Sequence, residues 1–485
     1  MPSLARQAFL VSASRLANQA LMVLGPLVLA RLLSVADFGR YREFLLYATL
    51  LGSAAAFSLP NSLLYFVGRQ PAAALGYARR VAFATGVASV ATVLVYTAIE
   101  ALLPRPPLGE LLLPCLLYVL CFANLDFWEF LWLARREPAR VAAYTAGRLV
   151  ARTTLVCGVA WATGSVAWMI WSMVALEALR LAVSAAAWRR LAAGARAVAP
   201  EASWREQLAF ALPSGLVVLG STLNRSIGGM VVGEARGAAE LALLVVGGYL
   251  LGLVSPLRNA VSDVLLPQLA SQARHGVSAW VEAWRRSSVQ VSMLLFPAAV
   301  LSWRHAETFL AVAFAPEYTA AAPLLRWHAV MIALACLDFA LAMRVLGRTR
   351  RMLGVSAVTL GANLALLPLL VPRLGAEGAA IALLASTAAG SAWLAWQVAR
   401  GASIGLAALL PLGGLARVGA AALLALVATW PSVWAWLPEV AAACAATFAY
   451  LLAFVALLRL FGPAESADLG ARLAAWLAAR RSTST

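Results

Sequence analysis

Four arginines, Arg15, Arg152, Arg225 and Arg258, fall deep inside long apolar runs of this 485-residue chain. A charge at the centre of such a run costs about 2.5–3.5 kcal/mol even on the lenient insertion scale, so each must face protein or water rather than hydrocarbon. Three of them keep amide company. Asn18 and Gln19 follow Arg15, Asn224 precedes Arg225, Asn259 follows Arg258, and Asn61 stands in the second run. Guanidinium groups hold oxyanions through paired, charge-assisted hydrogen bonds. Arginines with amide donors in corresponding helices of two halves therefore suit an anion such as a pyrophosphate. The other use of the same residues is helix packing or snorkelling to the interface.

The acidic residues within the runs are Asp126, Glu129, Glu177, Asp263 and Asp338. Glu177 and Arg180 are spaced for a pair on one helix, whereas Asp263 is five residues from Arg258 and reaches it only loosely. Asp126, Glu129, Asp263 and Asp338 are thus candidates either for structural ion pairs or for coupling to an ion. Catalytic patterns are poor. All 38 basic residues are arginine, which removes the P-loop lysine and Schiff-base chemistry. His275, His305 and His328 form no metal-ligand spacing, and the five cysteines lie in apolar runs without zinc or redox spacing. Gly401-Ala402-Ser403-Ile404-Gly405 has the letters of a nucleophile elbow but no preceding strand. Neither an enzyme, a metal nor a cofactor is expected.

The elements that position these residues are membrane helices. Apolar residues make up 63% of the chain and charged ones 12%, about half the usual charged share of a soluble protein. Disorder requires low hydrophobicity and an outer-membrane barrel requires alternation, so both are excluded. The net charge of +17 is spread between apolar runs rather than gathered on one face, which argues against nucleic acid. Runs of spanning length occur near 9–31, 43–67, 81–103, 111–133, 142–163, 166–188, 208–232, 241–266, 288–312, 323–346, 353–372, 378–399, 416–437 and 439–461, giving about 14 spans with 12 as the fallback. Arginines cluster in alternate connections, which places both termini in the cytoplasm. The segments around Trp280, Val281 and Trp284 and around Leu469 to Leu477 read as amphipathic helices lying on the inner leaflet.

The sequence also repeats. Leu125-Asp126-Phe127 recurs as Leu337-Asp338-Phe339, and Leu59-Pro60 as Leu266-Pro267. An even number of spans per copy makes the repeat parallel. The expected architecture is an all-α polytopic membrane protein with two parallel six-helix repeats (6+6) and two C-terminal transmembrane helices. Its parts are an N-terminal lobe over 1–200, a C-terminal lobe over 201–400, two further spans over 401–462 and a cytoplasmic amphipathic tail over 463–485.

Several segments resemble the polysaccharide transporter branch of the multidrug/oligosaccharidyl-lipid/polysaccharide exporter superfamily, which includes the O-antigen flippases. They are Ala30-Arg31-Leu32-Leu33-Ser34 with Asp37-Phe38-Gly39-Arg40-Tyr41, Ala315-Pro316-Glu317-Tyr318, Asn363-Leu364, and Val371 through Ala380. The resemblance implies a flippase that carries a polyprenyl-diphosphate-linked oligosaccharide from the cytoplasmic to the outer face of a bacterial inner membrane by alternating access. It places Arg15, Asn18, Gln19, Asn61, Asn224, Arg225, Arg258 and Asn259 in a cavity lined by spans one, two, seven and eight. It further implies contact with membrane lipids, with a glycan polymerase and glycosyltransferases as partners. The alternatives are a drug/cation antiporter of the same superfamily, which would want an acidic lumen, and a membrane glycan polymerase or ligase, which would want large external loops.

Overall fold

A computed structural model describes residues 24–104, 106–125, 127–194, 198–347, 352–434 and 437–463. Arg15, Asn18, Gln19, Asp126 and the tail from 464 lie outside the described residues, as do the side chains of Asn259 and Asp263. Of the described residues 88% are helical and none is in a strand. Helices satisfy their own backbone groups, which is what a bilayer demands. Among the described residues, nine helical stretches are long and apolar enough to cross a membrane, or ten with one bent pair. They correspond to runs 2, 3, 4, 6, 7 and 10 to 14 of the sequence. Run 5 also lies on one long helix, while runs 8 and 9 are interrupted at Gly248 and His305, and all three hold arginines.

Two compact units divide after Ala242. The first holds α1 (24–32), α2 (Val35–Ala56), α3 (Ser62–Arg69), α4 (Ala74–Leu102), α5 (Leu112–Ala123), α6 (Phe127–Ala134), α7 (Pro138–Thr163), α8 (Val166–Gly194) and α9 (Trp204–Arg236). α10 (Ala238–Gly247) carries the chain across the division. The second unit holds α11 (Tyr249–Ala273), α12 (Val277–Arg304), α13 (Ala306–Ala313), α14 (Ala322–Leu334), α15 (Phe339–Val345), α16 (Met352–Leu374), α17 (Ala376–Ala402), α18 (Leu406–Leu409), α19 (Leu412–Leu424), α20 (Pro431–Trp434) and α21 (Glu439–Phe461).

In the first unit, Ser34 caps α2 by accepting from the Asp37 amide, and Ser203 and Glu206 close a capping box at the start of α9. These side chains take the amide groups that a helix start leaves unpaired. The run around residue 60 is broken. Phe57 and Ser58 adopt left-handed backbone (φ 41° and 57°), and α3 leaves at 47° to α2. Pro60, lacking an amide hydrogen, sits where the helix restarts. The break also explains Gly215 on α9: a Cβ there would stand 2.6 Å from the Phe57 carbonyl oxygen, so only glycine lets α9 pass.

The Leu-Asp-Phe repeat marks a second kind of break. Run four splits into α5 and α6, run ten splits into α14 and α15, and α6 and α15 both begin at the phenylalanine of the repeat. Asp338 caps α15, accepting from the Leu341 amide at 3.0 Å and from the Ser262 hydroxyl, while the Trp284 indole donates to its carbonyl at 3.1 Å. Among the described residues Asp338 is thus a helix cap and forms no ion pair.

The second unit corrects one expectation. Trp280, Val281 and Trp284 do not form a separate surface-lying helix; they belong to the single helix α12 and are buried against Phe339, Leu341 and Val398. Amphipathic spacing marks an apolar face without saying whether lipid or protein covers it. Run nine likewise ends early, at His305, where α13 begins. α16 and α17 make a hairpin whose closeness depends on Gly378, where a Cβ would lie 2.4 Å from the Leu370 carbonyl oxygen. α19 and α21, the two C-terminal spans, pack through Val418, Ala422 and Tyr450. Elsewhere large apolar side chains point outward, as with Phe83, Val87 and Leu94 on α4, the surface that lipid tails would cover.

The Asp338 cap leads to a prediction. Asp338→Ala should lower thermal stability in detergent by about 1 kcal/mol or somewhat more, while Asp338→Asn, still a good cap, should stay within a few tenths. A loss of function in Asp338→Asn with unchanged melting would return the residue to an ion-coupling role.

Candidate functional site

Polar groups inside the first unit gather along α7. Arg148 reaches Glu129 of α6 at 3.2 Å and lies over the Phe122 ring. Glu177 of α8, 1% exposed, pairs with Arg180, whose other nitrogen donates to the Tyr144 hydroxyl at 2.6 Å. The pair expected from the Glu177–Arg180 spacing is present, and Glu129 is paired with Arg148.

Arg152, one turn after Arg148, is different. It is half-buried beside Tyr41 and Tyr118, and forms no ion pair among the described residues. It lines two cavities. One, of about 300 Å³, is bounded by Thr49, Ser53, Ser58, Asn61 and Phe122 beside the break between α2 and α3. The other, of about 250 Å³, is bounded by Pro26, Tyr41, Arg42 and Thr153. The Asn61 amide donates to the Ser58 hydroxyl and so is fixed at the rim of the first cavity. A permanently charged guanidinium at a polar, aromatic-walled cavity is an arrangement for holding an oxyanion.

The other described sequence candidates are placed within their own units. Asn61 is at the Arg152 cavity. Asn224 and Arg225 lie on α9, where Arg225 is exposed. Arg258 lies on α11 of the second unit and lines a small recess of about 20 Å³ with Ser262, Trp284 and Asp338; its Nε is buried without a partner among the described residues. Arg152 was among the deep arginines of the sequence but had no amide neighbour to single it out. The signal was its spacing: Arg148 and Arg152 at i,i+4 repel each other, so separate destinations were required, and only Arg148 finds a carboxylate.

The neutralised pair on α8 yields a test. Glu177→Ala leaves Arg180 buried without its partner and should cost about 3–5 kcal/mol, read as a lower melting temperature of the purified protein. Arg152→Gln, which removes no ion pair, should melt near the parent.

Comparison with known proteins agrees with this frame. A family model described as "Polysaccharide biosynthesis protein" matches residues 140–323. Among solved structures, the chain is similar to the lipid II flippase MurJ in an inward closed conformation, with a TM-score of 0.67 and 11% identity over 93% of this chain and 98% of that one. It is similar to an inward-facing multidrug resistance MATE family transporter of the MOP superfamily, with a TM-score of 0.52 and 12% identity over 81% and 95%. A MOP superfamily transporter from Pyrococcus furiosus gives 0.53 and 12% over 81% and 96%. No curated protein matches by sequence. The resemblance read from the sequence is thereby supported from two directions, by a sequence-family match and by fold.

Proposed function

With the fold of the multidrug/oligosaccharidyl-lipid/polysaccharide exporter superfamily as premise, we propose that this multi-pass membrane protein is a flippase for a polyprenyl-diphosphate-linked oligosaccharide. It would move its cargo from the cytoplasmic to the outer face of a bacterial inner membrane by alternating access. The observation that carries the reading is Arg152, a cation without a carboxylate partner among the described residues, at two cavities inside the first unit. A guanidinium in a spanning segment is costly; Arg152 is hydrogen-bonded to Tyr41 and shares the Glu177 carboxylate at longer range with Arg148 and Arg180, and an anionic ligand would offset what remains of that cost. A lipid-linked diphosphate offers two adjacent groups of acceptor oxygens for the guanidinium fork. The match to a polysaccharide biosynthesis family and the likeness to a lipid II flippase support a glycan on that lipid.

Arg225 and Arg258, with Asn224 and Asn259, are proposed to belong to the same path, as are Arg15, Asn18 and Gln19. A glycan polymerase and glycosyltransferases are the proposed partners, and both termini are proposed to be cytoplasmic. A cation antiporter would require carboxylates open to the lumen. Glu129 and Glu177 are instead ion-paired and Asp338 caps a helix.

The test is the leaflet distribution of polyprenyl-diphosphate-linked glycans in cells with and without the protein. Accumulation on the cytoplasmic face is expected in its absence, and equally with Arg152→Ala or the Arg225→Ala/Arg258→Ala pair present at parental levels in the membrane. An unchanged distribution, with altered tolerance to drugs or cations, would replace this reading with the antiporter.

A further inference from the structure

A second site lies at the opposite end of α3 from the Arg152 cavity. There a pocket of about 570 Å³ is bounded by the end of α3, the start of α4 and the first turns of α9. Its walls are tied together. The Gln70 amide donates to the Ala199 carbonyl and its oxygen accepts from the Glu201 backbone and the Tyr77 hydroxyl; the Ala202 amide donates to that hydroxyl, and Arg80 donates to the Ala202 carbonyl at 2.7 Å. The segment before α9 is thus held to the α3–α4 corner by side chains spent on the wall.

The groups presented to the pocket are of two kinds. Tyr65 and Phe210 stack with centroids 4.8 Å apart and 18° between planes, yet each remains 43% exposed. Beside them, Arg69 uses one nitrogen on the Tyr65 hydroxyl, which leaves further donors of its five, while Glu201 and Glu206 bring carboxylates. Large aromatic surface left open in a polar pocket fits a ligand with one apolar and one hydrogen-bonding aspect. The charge selects further. The two carboxylates balance Arg69 at the lining and Arg80 behind Ala202 and Tyr77, so the pocket offers a phosphate or an anionic headgroup no excess of positive charge.

From this chemistry we infer that the pocket binds the saccharide portion of the cargo: the C–H face of a pyranose ring on Phe210, which Tyr65 backs from behind with Arg69 over its own ring, and its hydroxyls on Glu201, Glu206 and Arg69. This inference rests on the reading of the cargo as a glycan and adds to it a place for the sugars. Arg69, Arg79 and Arg80 put this end of α3 on the side that the arginine distribution assigns to the cytoplasm. The eight residues of α3 span about 12 Å, so a lipid-linked glycan anchored by its diphosphate at Arg152 would have sugars, not phosphate, within reach of the pocket.

The experiment is saturation-transfer NMR on the full-length protein in detergent, with millimolar free disaccharides of hexoses and N-acetylhexosamines as probes. The expected result is a signal from at least one disaccharide. Phe210→Ala and the exposed-site variant Glu201→Gln should each weaken binding about tenfold, or ~1.4 kcal/mol. No signal with any disaccharide, or one indifferent to both pocket variants, overturns the site. So does a signal from short-chain phosphatidylglycerol that is lost in Phe210→Ala, which would make the pocket a headgroup contact. Disaccharide binding that persists while the leaflet assay shows no change removes the flippase reading and keeps the saccharide site.

Discussion

A low-dielectric surrounding penalises every unpaired backbone group and every uncompensated charge. That constraint orders the rest of this molecule. Each departure from continuous helix comes with its own donors and acceptors. At the first break the Ser62 hydroxyl donates to the Leu59 carbonyl at 2.7 Å, and the Gln207 amide donates to Ser62 at 3.1 Å from α9. At the second, Asn124 donates to the Leu120 carbonyl and to Ser89. At the third, Asp338 takes an amide and a hydroxyl. The charges obey the same rule, and Glu129 and Glu177 each hold an arginine.

These breaks are also where the two halves of the sequence diverge. The Leu-Asp-Phe copies start α6 and α15 at matching positions, so that part of the repeat is preserved in structure. The Leu-Pro copies are not equivalent: Leu59-Pro60 lies at a 47° bend with left-handed residues, whereas Leu266-Pro267 lies within the continuous helix α11. Left-handed backbone at a non-glycine residue costs of order 1–3 kcal/mol, and Gly215 supplies the room that lets the surroundings hold it. What the bend achieves is visible in its lining. Ser58 and Asn61 face the Arg152 cavity, while Phe57 and Leu59 face an apolar groove of about 760 Å³ along α4 and α9. A straight helix would present one stripe to one environment; the bend presents alternate residues to two.

The helical class and nearly every long helix were legible in the sequence, because apolar length and arginine punctuation report directly on span-sized segments. The fates of single side chains were legible only where partners lie on one helix, as with Glu177 and Arg180. Arg148 and Arg152 look alike in sequence, and what separates them is Glu129 on α6, brought across by tertiary packing. Trp280 and Trp284 failed for a related reason, since burial by protein and burial by lipid select the same spacing. The pocket at Tyr65 and Phe210 had no signature, being assembled from residues about 145 positions apart.

Permanent charge has a further consequence for how such a site discriminates. Arginine does not lose its proton in the accessible range, so the Arg152 cavity attracts any oxyanion that fits, free phosphate included. Charge at that point therefore supplies attraction and little selectivity. Selectivity has to come from a second contact of different chemistry at a fixed distance, and α3 sets one: a cationic cavity at its beginning and an aromatic pocket with two carboxylates at its end. On the proposed reading an inorganic anion is held by the first and gains nothing from the second. On the same reading only a molecule that joins an anionic group to a neutral polyhydroxylated one would gain from both, and effective concentration would then make the joint affinity exceed either alone.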